Sequence, residues 1–180
     1  MGEFMVTAVK DISILKYLSN PDFELIQSKV IKLDKKLGDA IALSGEPVAG
    51  IYWVVSGQVG VYPPGADKTF AFLERGSAFG EMSFLDRSKA SATIRIEKTG
   101  TEIAMISHVV LHQLIKDSPS IGHSIYRGIA ESLAEKLRVT NSKIAAEIST
   151  TRESLASSNL LSGKEGVKEF IAAIERTIQY

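Results

Sequence analysis

Cysteine is absent from the 180 residues. Disulfide scaffolds, thiolate zinc sites, iron–sulfur clusters and cysteine nucleophiles are excluded with it. Net charge is missing too: 21 Lys and Arg balance 21 Asp and Glu. The chain has no bulk basic field for nucleic acid, and only a local patch could supply one. No apolar run approaches the length that spans a bilayer, and the opening MGEFMVTAVKDIS has no apolar core of signal-peptide length. Catalytic motifs are also lacking: there is no P-loop, no dinucleotide-binding glycine pattern and no nucleophile elbow. The acidic residues are scattered, with no pair marked as an acid/base couple. His108 and His112 stand four apart, but no Glu accompanies them in metalloprotease order and no third ligand is evident, so they read as two histidines on a surface helix. His123 has no partner in the sequence. The expectation is a soluble, cytoplasmic protein that is not an enzyme, holds no metal and does not enter a membrane.

What is present is a globular composition, 44% apolar and 23% charged. A chain of this length can bury roughly 70% of its unfolded surface, enough for a proper core. Its texture changes along its length. Residues 1–29 read as a helical segment, with Asn20-Pro21 as N-cap and first helical position and Asp22 and Glu24 in the first turn. Residues 30–118 hold short runs rich in Val, Ile, Phe and Tyr. Turn signals punctuate them at Gly38-Asp39, Gly45-Glu46, Ser56-Gly57, Pro63-Pro64-Gly65, Gly76 and Thr99-Gly100. The alternation in Phe70-Ala71-Phe72-Leu73 and Thr93-Ile94-Arg95-Ile96 predicts half-buried strands, and the unbroken run IYWVV (51–55) predicts a strand buried on both faces. SHVVLHQLIKD then predicts a short helix, and Pro119 opens a long one, 119–155.

On the long helix Ile121, Ile125, Ile129, Leu133, Leu137, Thr140, Ile144 and Ile148 recur at steps of three or four. This seam runs roughly 40 Å at 1.5 Å per residue, longer than one small domain can cover. Part of it is expected to pair with its own copy in a parallel homodimer; the alternative is that it folds back onto the β-domain. Residues 156–180 read as a linker (156–166) followed by an amphipathic helix with Val167, Phe170, Ile171, Ile174 and Ile178 on one face. Such a helix is not stable alone and must pack on the body or on a protein partner.

One segment is chemically distinctive: GSAFGEMSFLDRSKASATIRI, 76–96. Gly80 would allow close backbone approach by a ligand, and residues 81–84 would begin a helix whose free N–H groups can hold a phosphate. Glu81 would accept a hydrogen bond from a sugar hydroxyl. The plainer alternative is a glycine turn between strand and helix with a solvated Glu.

These residues bring out a resemblance. From about residue 12 to about residue 144 the chain resembles the cyclic nucleotide-binding domain family. The similarity lies in LSGEPVAG (43–50), IYWVVSGQVGVY (51–62), LERGSAFGEMSFLD (73–86) and SATIRI (91–96). It implies a mainly β fold, an eight-stranded jelly roll with flanking helices, a phosphate-binding cassette around 79–83 and a long C-terminal helix. EKLRVTNSKI (135–144) is similar to the dimerisation helix of the catabolite-activator type of regulator. In that subgroup a Thr on this helix contacts the purine and the next residue reaches the ligand of the opposite subunit. The matching positions are Thr140 and Asn141, although Thr140 also fits as one more seam position. The resemblance thus implies a ligand set of Phe79, Gly80, Glu81, Met82, Ser83, Lys89, Ala90, Ser91, Ala92, Thr140 and Asn141. The ligand would be a cyclic nucleotide, cyclic AMP ahead of cyclic GMP, and no metal is called for.

Two departures from the family pattern stand out. Only about 35 residues follow Ala145, too few for a winged helix-turn-helix reader, so DNA binding is not expected. Ala90 also falls where the family places an Arg that pairs the cyclic phosphate, a loss of charge-assisted bonds of about 1.5–3 kcal/mol each. Lys89 is next door but would face the other side of an extended strand; Arg87 could serve if the loop folds over the cassette. Two functions follow. One is a dimeric sensory module that binds a cyclic nucleotide and signals to a protein partner through 156–180. The other is a degenerate form of the fold that binds nothing and serves as a dimeric scaffold.

Overall fold

The computed structural model describes residues 12–157. Residues 1–11 and nearly all of the expected linker and last helix lie outside the described residues. The described chain divides into two compact units on either side of the Leu133–Ala134 bond.

The first unit is built on eight strands: β1 Ile31–Leu33, β2 Ala40–Ala42, β3 Gly50–Ser56, β4 Gln58–Tyr62, β5 Ala71–Glu74, β6 Ala78–Phe79, β7 Thr93–Ile96 and β8 Glu102–Ser107. They form two four-stranded sheets, ordered β1-β8-β3-β6 and β2-β7-β4-β5, and the ladders are antiparallel. The expected eight-stranded jelly-roll architecture is therefore present. Helices α1 (Asn20–Gln27), α2 (Glu81–Asp86) and α3 (His108–Asp117) accompany the sheets, and α4 (Pro119–Ser157) begins in this unit.

Local chemistry explains most of the boundaries. Helix α1 is capped by Ser19, one residue earlier than the Asn20 expected from sequence: the Ser19 hydroxyl accepts from the Asp22 N–H at 3.3 Å. Ser, like Asn, can cap, and the Pro then sits one position deeper in the first turn, where no N–H is needed. Ser107 caps α3 in the same way, accepting from Val110 N at 3.2 Å. Strand β5 starts at Ala71 rather than Phe70, with Phe72 outward and Ala71 and Leu73 half-buried, as the alternation predicts. Strand β7 begins only at Thr93, leaving residues 87–92 irregular.

Two cores share strand β3. Ile51, Trp53 and Val55 face the helices, packing with Phe23 and Ile26 of α1, Phe84 of α2, Leu111 and Leu114 of α3 and Ile121, Ile125 and Ile129 of α4. Tyr52 and Val54 face the other way and pack with Val59, Phe79, Ile94, Ile96 and Ile103 between the sheets. The alternating Cβ directions of a strand make this division, which is why IYWVV carries no polar residue. Each large apolar side chain buried contributes about 1.5–3 kcal/mol.

The segment before α1 is fastened to α4. Ile12, Ile14 and Leu15 are buried, and a Cβ on Gly128 would stand 2.3 Å from the Ile14 carbonyl oxygen. The Glu131 carboxylate accepts from Tyr17 Oη and lies 2.5 Å from Lys16 Nζ. Those two hydrogen bonds, Lys16 first, hold its carboxyl at about 2. Because that value lies below the ordinary 4.5, the tether is complete at neutral pH and is lost as pH falls from 4.5 toward 2. Gly128→Val is expected to lower unfolding free energy by about 1–3 kcal/mol through overpacking, read as an earlier urea midpoint with unchanged slope.

Candidate functional site

The segment singled out in the sequence folds as strand, left-handed turn, short helix and loop. Phe79 ends β6, which pairs with β3 in the register Tyr52↔Phe79, and the two rings stack at 5.1 Å with planes 8° apart. Gly80 follows in the left-handed region (φ 84°, ψ −1°) and caps α2. A Cβ here would lie 2.4 Å from the Gly50 carbonyl oxygen and 3.2 Å from both Tyr52 and Val48. The glycine is thus required by the chain's own backbone, because the turn is pressed against the start of β3. Sequence had read Gly80 as room for a ligand; the structure gives it an internal reason first.

Glu81 opens α2 and is buried, only 3% exposed, where a solvated carboxylate was the plain alternative. An acidic side chain in the first turn is favoured by the partial positive charge of a helix start. Ser83 is also buried and Met82 is half exposed. Phe84 N donates to the Gly80 carbonyl; the N–H groups of the first turn ahead of it have no carbonyl partner within the helix by construction. The cassette therefore joins a buried acceptor to a cluster of main-chain donors, a set able to bind both hydroxyl and anion.

Arg87 closes α2 in a left-handed conformation (φ 61°), the one non-glycine residue at positive φ among the described residues. Asp86 accepts from Ser88 N at 2.8 Å, and the hydrogen bonds from Ser88 lower its carboxyl from the ordinary value. The loop beyond is pinned to the turn before β3: Ala90 N donates to the Glu46 carbonyl at 2.9 Å and Gly45 N to the Ala90 carbonyl at 2.8 Å. Ser44 N donates to Thr93 Oγ1 at 3.0 Å. In this pinned loop Ala90 and Ala92 are half-buried, whereas Arg87, Lys89 and Ser91 are exposed. The first unit thus holds Phe79, Gly80, Glu81, Met82, Ser83, Lys89, Ala90, Ser91 and Ala92. Thr140, half-buried, and Asn141, exposed, belong to the second.

Sequence reasoning missed an aromatic and histidine cluster behind α2. Phe84, 2% exposed, stacks on His112 at 4.5 Å and meets His108 at 5.5 Å and Tyr126 of α4 at 5.9 Å. His108 is not the plain surface residue expected: its Nε2 is buried with no hydrogen-bond partner, and burial lowers its pKa from the ordinary 6.5. The available signal was the i, i+4 spacing of the two histidines, which places both on one face of α3. Nothing in the sequence told that this face meets the cassette.

Residues 34–118 match the family described as "Cyclic nucleotide-binding domain". This part of the chain belongs to that family. The chain is 31% identical over 101 residues to the "Cyclic AMP receptor protein" of Thermus thermophilus, a match covering 54% of this chain and 46% of that protein, so the chain spans under half of that relative's length. Among solved structures, the Thermus thermophilus catabolite activator protein is 26% identical with a TM-score of 0.61, covering 74% of this chain and 62% of the other. A cyclic nucleotide-binding domain from Methylobacillus flagellatus has a TM-score of 0.69 at 21% identity, over 77% and 83% of the two chains, a likeness of fold. In the cyclic nucleotide-binding domain described here, Gly80→Ala is expected to cost about 2–3 kcal/mol in urea unfolding, against under about 0.5 for the exposed Met82→Ala. Equal midpoints for the two variants would contradict the close approach of Gly80 to Gly50.

Proposed function

We propose that this domain is a sensory module that binds a cyclic nucleotide, cyclic AMP ahead of cyclic GMP, and regulates rather than catalyses. The observation that carries the reading is Glu81: a carboxylate buried at a helix start, beside a left-handed glycine. A ribose hydroxyl can donate to its oxygens, with the main-chain N–H groups of the first turn of α2 facing the phosphate. The relation to a cyclic AMP receptor protein supports the choice of cyclic AMP. We place its work in the cytoplasm. Among the described residues no helix is long and apolar enough to cross a membrane.

The signalling half of the proposal is dimeric. The long seam divides in the structure: Ile121, Ile125 and Ile129 are buried in the chain's own core, while Leu137, Ile144 and Ile148 are 61%, 45% and 42% exposed. Apolar residues exposed at helical steps suit a parallel pairing with a second copy; Thr140 and Asn141 lie on this stretch of the helix. The tail, 156–180, would carry the signal to a protein partner. Leu137→Glu with Ile144→Glu is expected to convert dimer to monomer in sedimentation velocity.

A second reading rests on Ala90. With an alanine pinned in this loop and Arg87 and Lys89 exposed, the site lacks a guanidinium seated to pair a phosphate, which favours a scaffold that binds nothing. Calorimetric titration with cyclic AMP and cyclic GMP separates the two. The sensory reading expects binding about one to two decades weaker than the Ala90→Arg variant shows. No heat and no thermal shift at millimolar ligand, together with binding gained by Ala90→Arg, would leave the scaffold.

A further inference from the structure

His108 joins three parts of the domain. Its backbone N donates to the Ala49 carbonyl at 3.0 Å, just before β3. Its ring lies against the backbone of Gly80, the cap of the cassette helix, and of Gly50, on which Gly80 is pressed. The Nε2 atom is buried with no hydrogen-bond partner. Together with Phe84 between His108, His112 and Tyr126, this seats the cassette on α3 and α4.

The seat has one weakness. Neutral imidazole with its proton on Nδ1 leaves Nε2 as a bare acceptor, a modest cost. A second proton must go on Nε2, which has no acceptor in its buried place. The titratable and charged groups on the elements packed here are Glu81 and Asp86 of α2, Tyr52 of β3, His112, Lys116 and Asp117 of α3, and His123, Tyr126 and Arg127 of α4. Burial of the ring opposes its protonation most and His112 adds to that, while the backbone of Gly80 and Gly50 favours the proton without outweighing burial.

We propose that His108 is the positioning residue of the cassette and holds it only as the neutral imidazole, so that protons and the ligand act in opposite directions on the seated cassette. The ligand half of this proposal rests on the sensory reading above. The sign follows from linkage. The folded domain takes up the His108 proton less readily than the unfolded chain does, with its ordinary 6.5. The seat is therefore intact above pH 6.5 and is lost as pH falls below it.

The test uses the full chain from pH 8 to 5.5. Thermal unfolding of the wild type is expected to drop by about 4 °C over this range. His108→Asn keeps a donor near the Nδ1 position without titrating, and should remove at least half of that drop; His112→Asn should keep most of it. Independently of any variant, the ring resonances of the three histidines are followed by NMR, with His108 expected to titrate below 6.5. A pH profile unchanged in His108→Asn, or a His108 that titrates at or above 6.5, would overturn the proposal. Cyclic AMP is then titrated at pH 7.5 and 5.5. The wild type should bind at least about threefold more weakly at the lower pH and His108→Asn about equally at both. Wild-type binding unaffected by pH overturns that opposition. Absence of cyclic AMP binding at both values removes the sensory reading, while the unfolding and NMR results still decide the role of His108.

Discussion

Burial of strand β3 on both faces is the constraint on which the rest of the domain depends. Its odd-numbered residues close the core beneath the helices, and its even-numbered residues close the core between the sheets. The same strand pairs with β8 and with β6, and β6 delivers Phe79 and Gly80 to the cassette. Its first residue, Gly50, receives the close approach of Gly80. A disturbance of β3 therefore reaches both cores and the cassette together, because a close-packed interior passes small shifts on instead of absorbing them.

The cassette is held from two sides by different chemistry. Toward the sheets, Tyr52 and Phe79 stack and Gly80 lies on backbone, contacts that do not change with pH near neutrality. Toward the helices, Phe84 rests on two imidazoles. Phe84 is therefore the side chain through which the cassette helix and the start of α4 share one core. A rearrangement of α2 must repack it, and this gives the domain a physical route from its site to its helices.

Apolar periodicity along α4 is continuous, but its use is not. Upstream of Leu133 the seam is spent on the chain's own core, with Gly128 small enough to let Ile14 lie against the helix backbone. Downstream, apolar side chains at the same spacing remain exposed. A helix stripe records only that something apolar will cover it; where the β-domain stops reaching is a matter of how the sheets and the N-terminal segment fold.

The sequence by itself determined the class of fold, the positions of most strands and helices and the place of the cassette. Those depend on local chemistry: alternation at period two, turn residues between strands, Pro119 at a helix start and the glycine and carboxylate of Phe79-Gly80-Glu81. Tertiary structure alone decided that Gly80 is needed for backbone contact with Gly50, 30 residues earlier, and that Glu81 is buried. It likewise placed His108 and His112 against Phe84, where sequence read a surface pair. These are contacts between segments distant along the chain. A periodic pattern marks which face of an element is covered, and only packing sets what covers it.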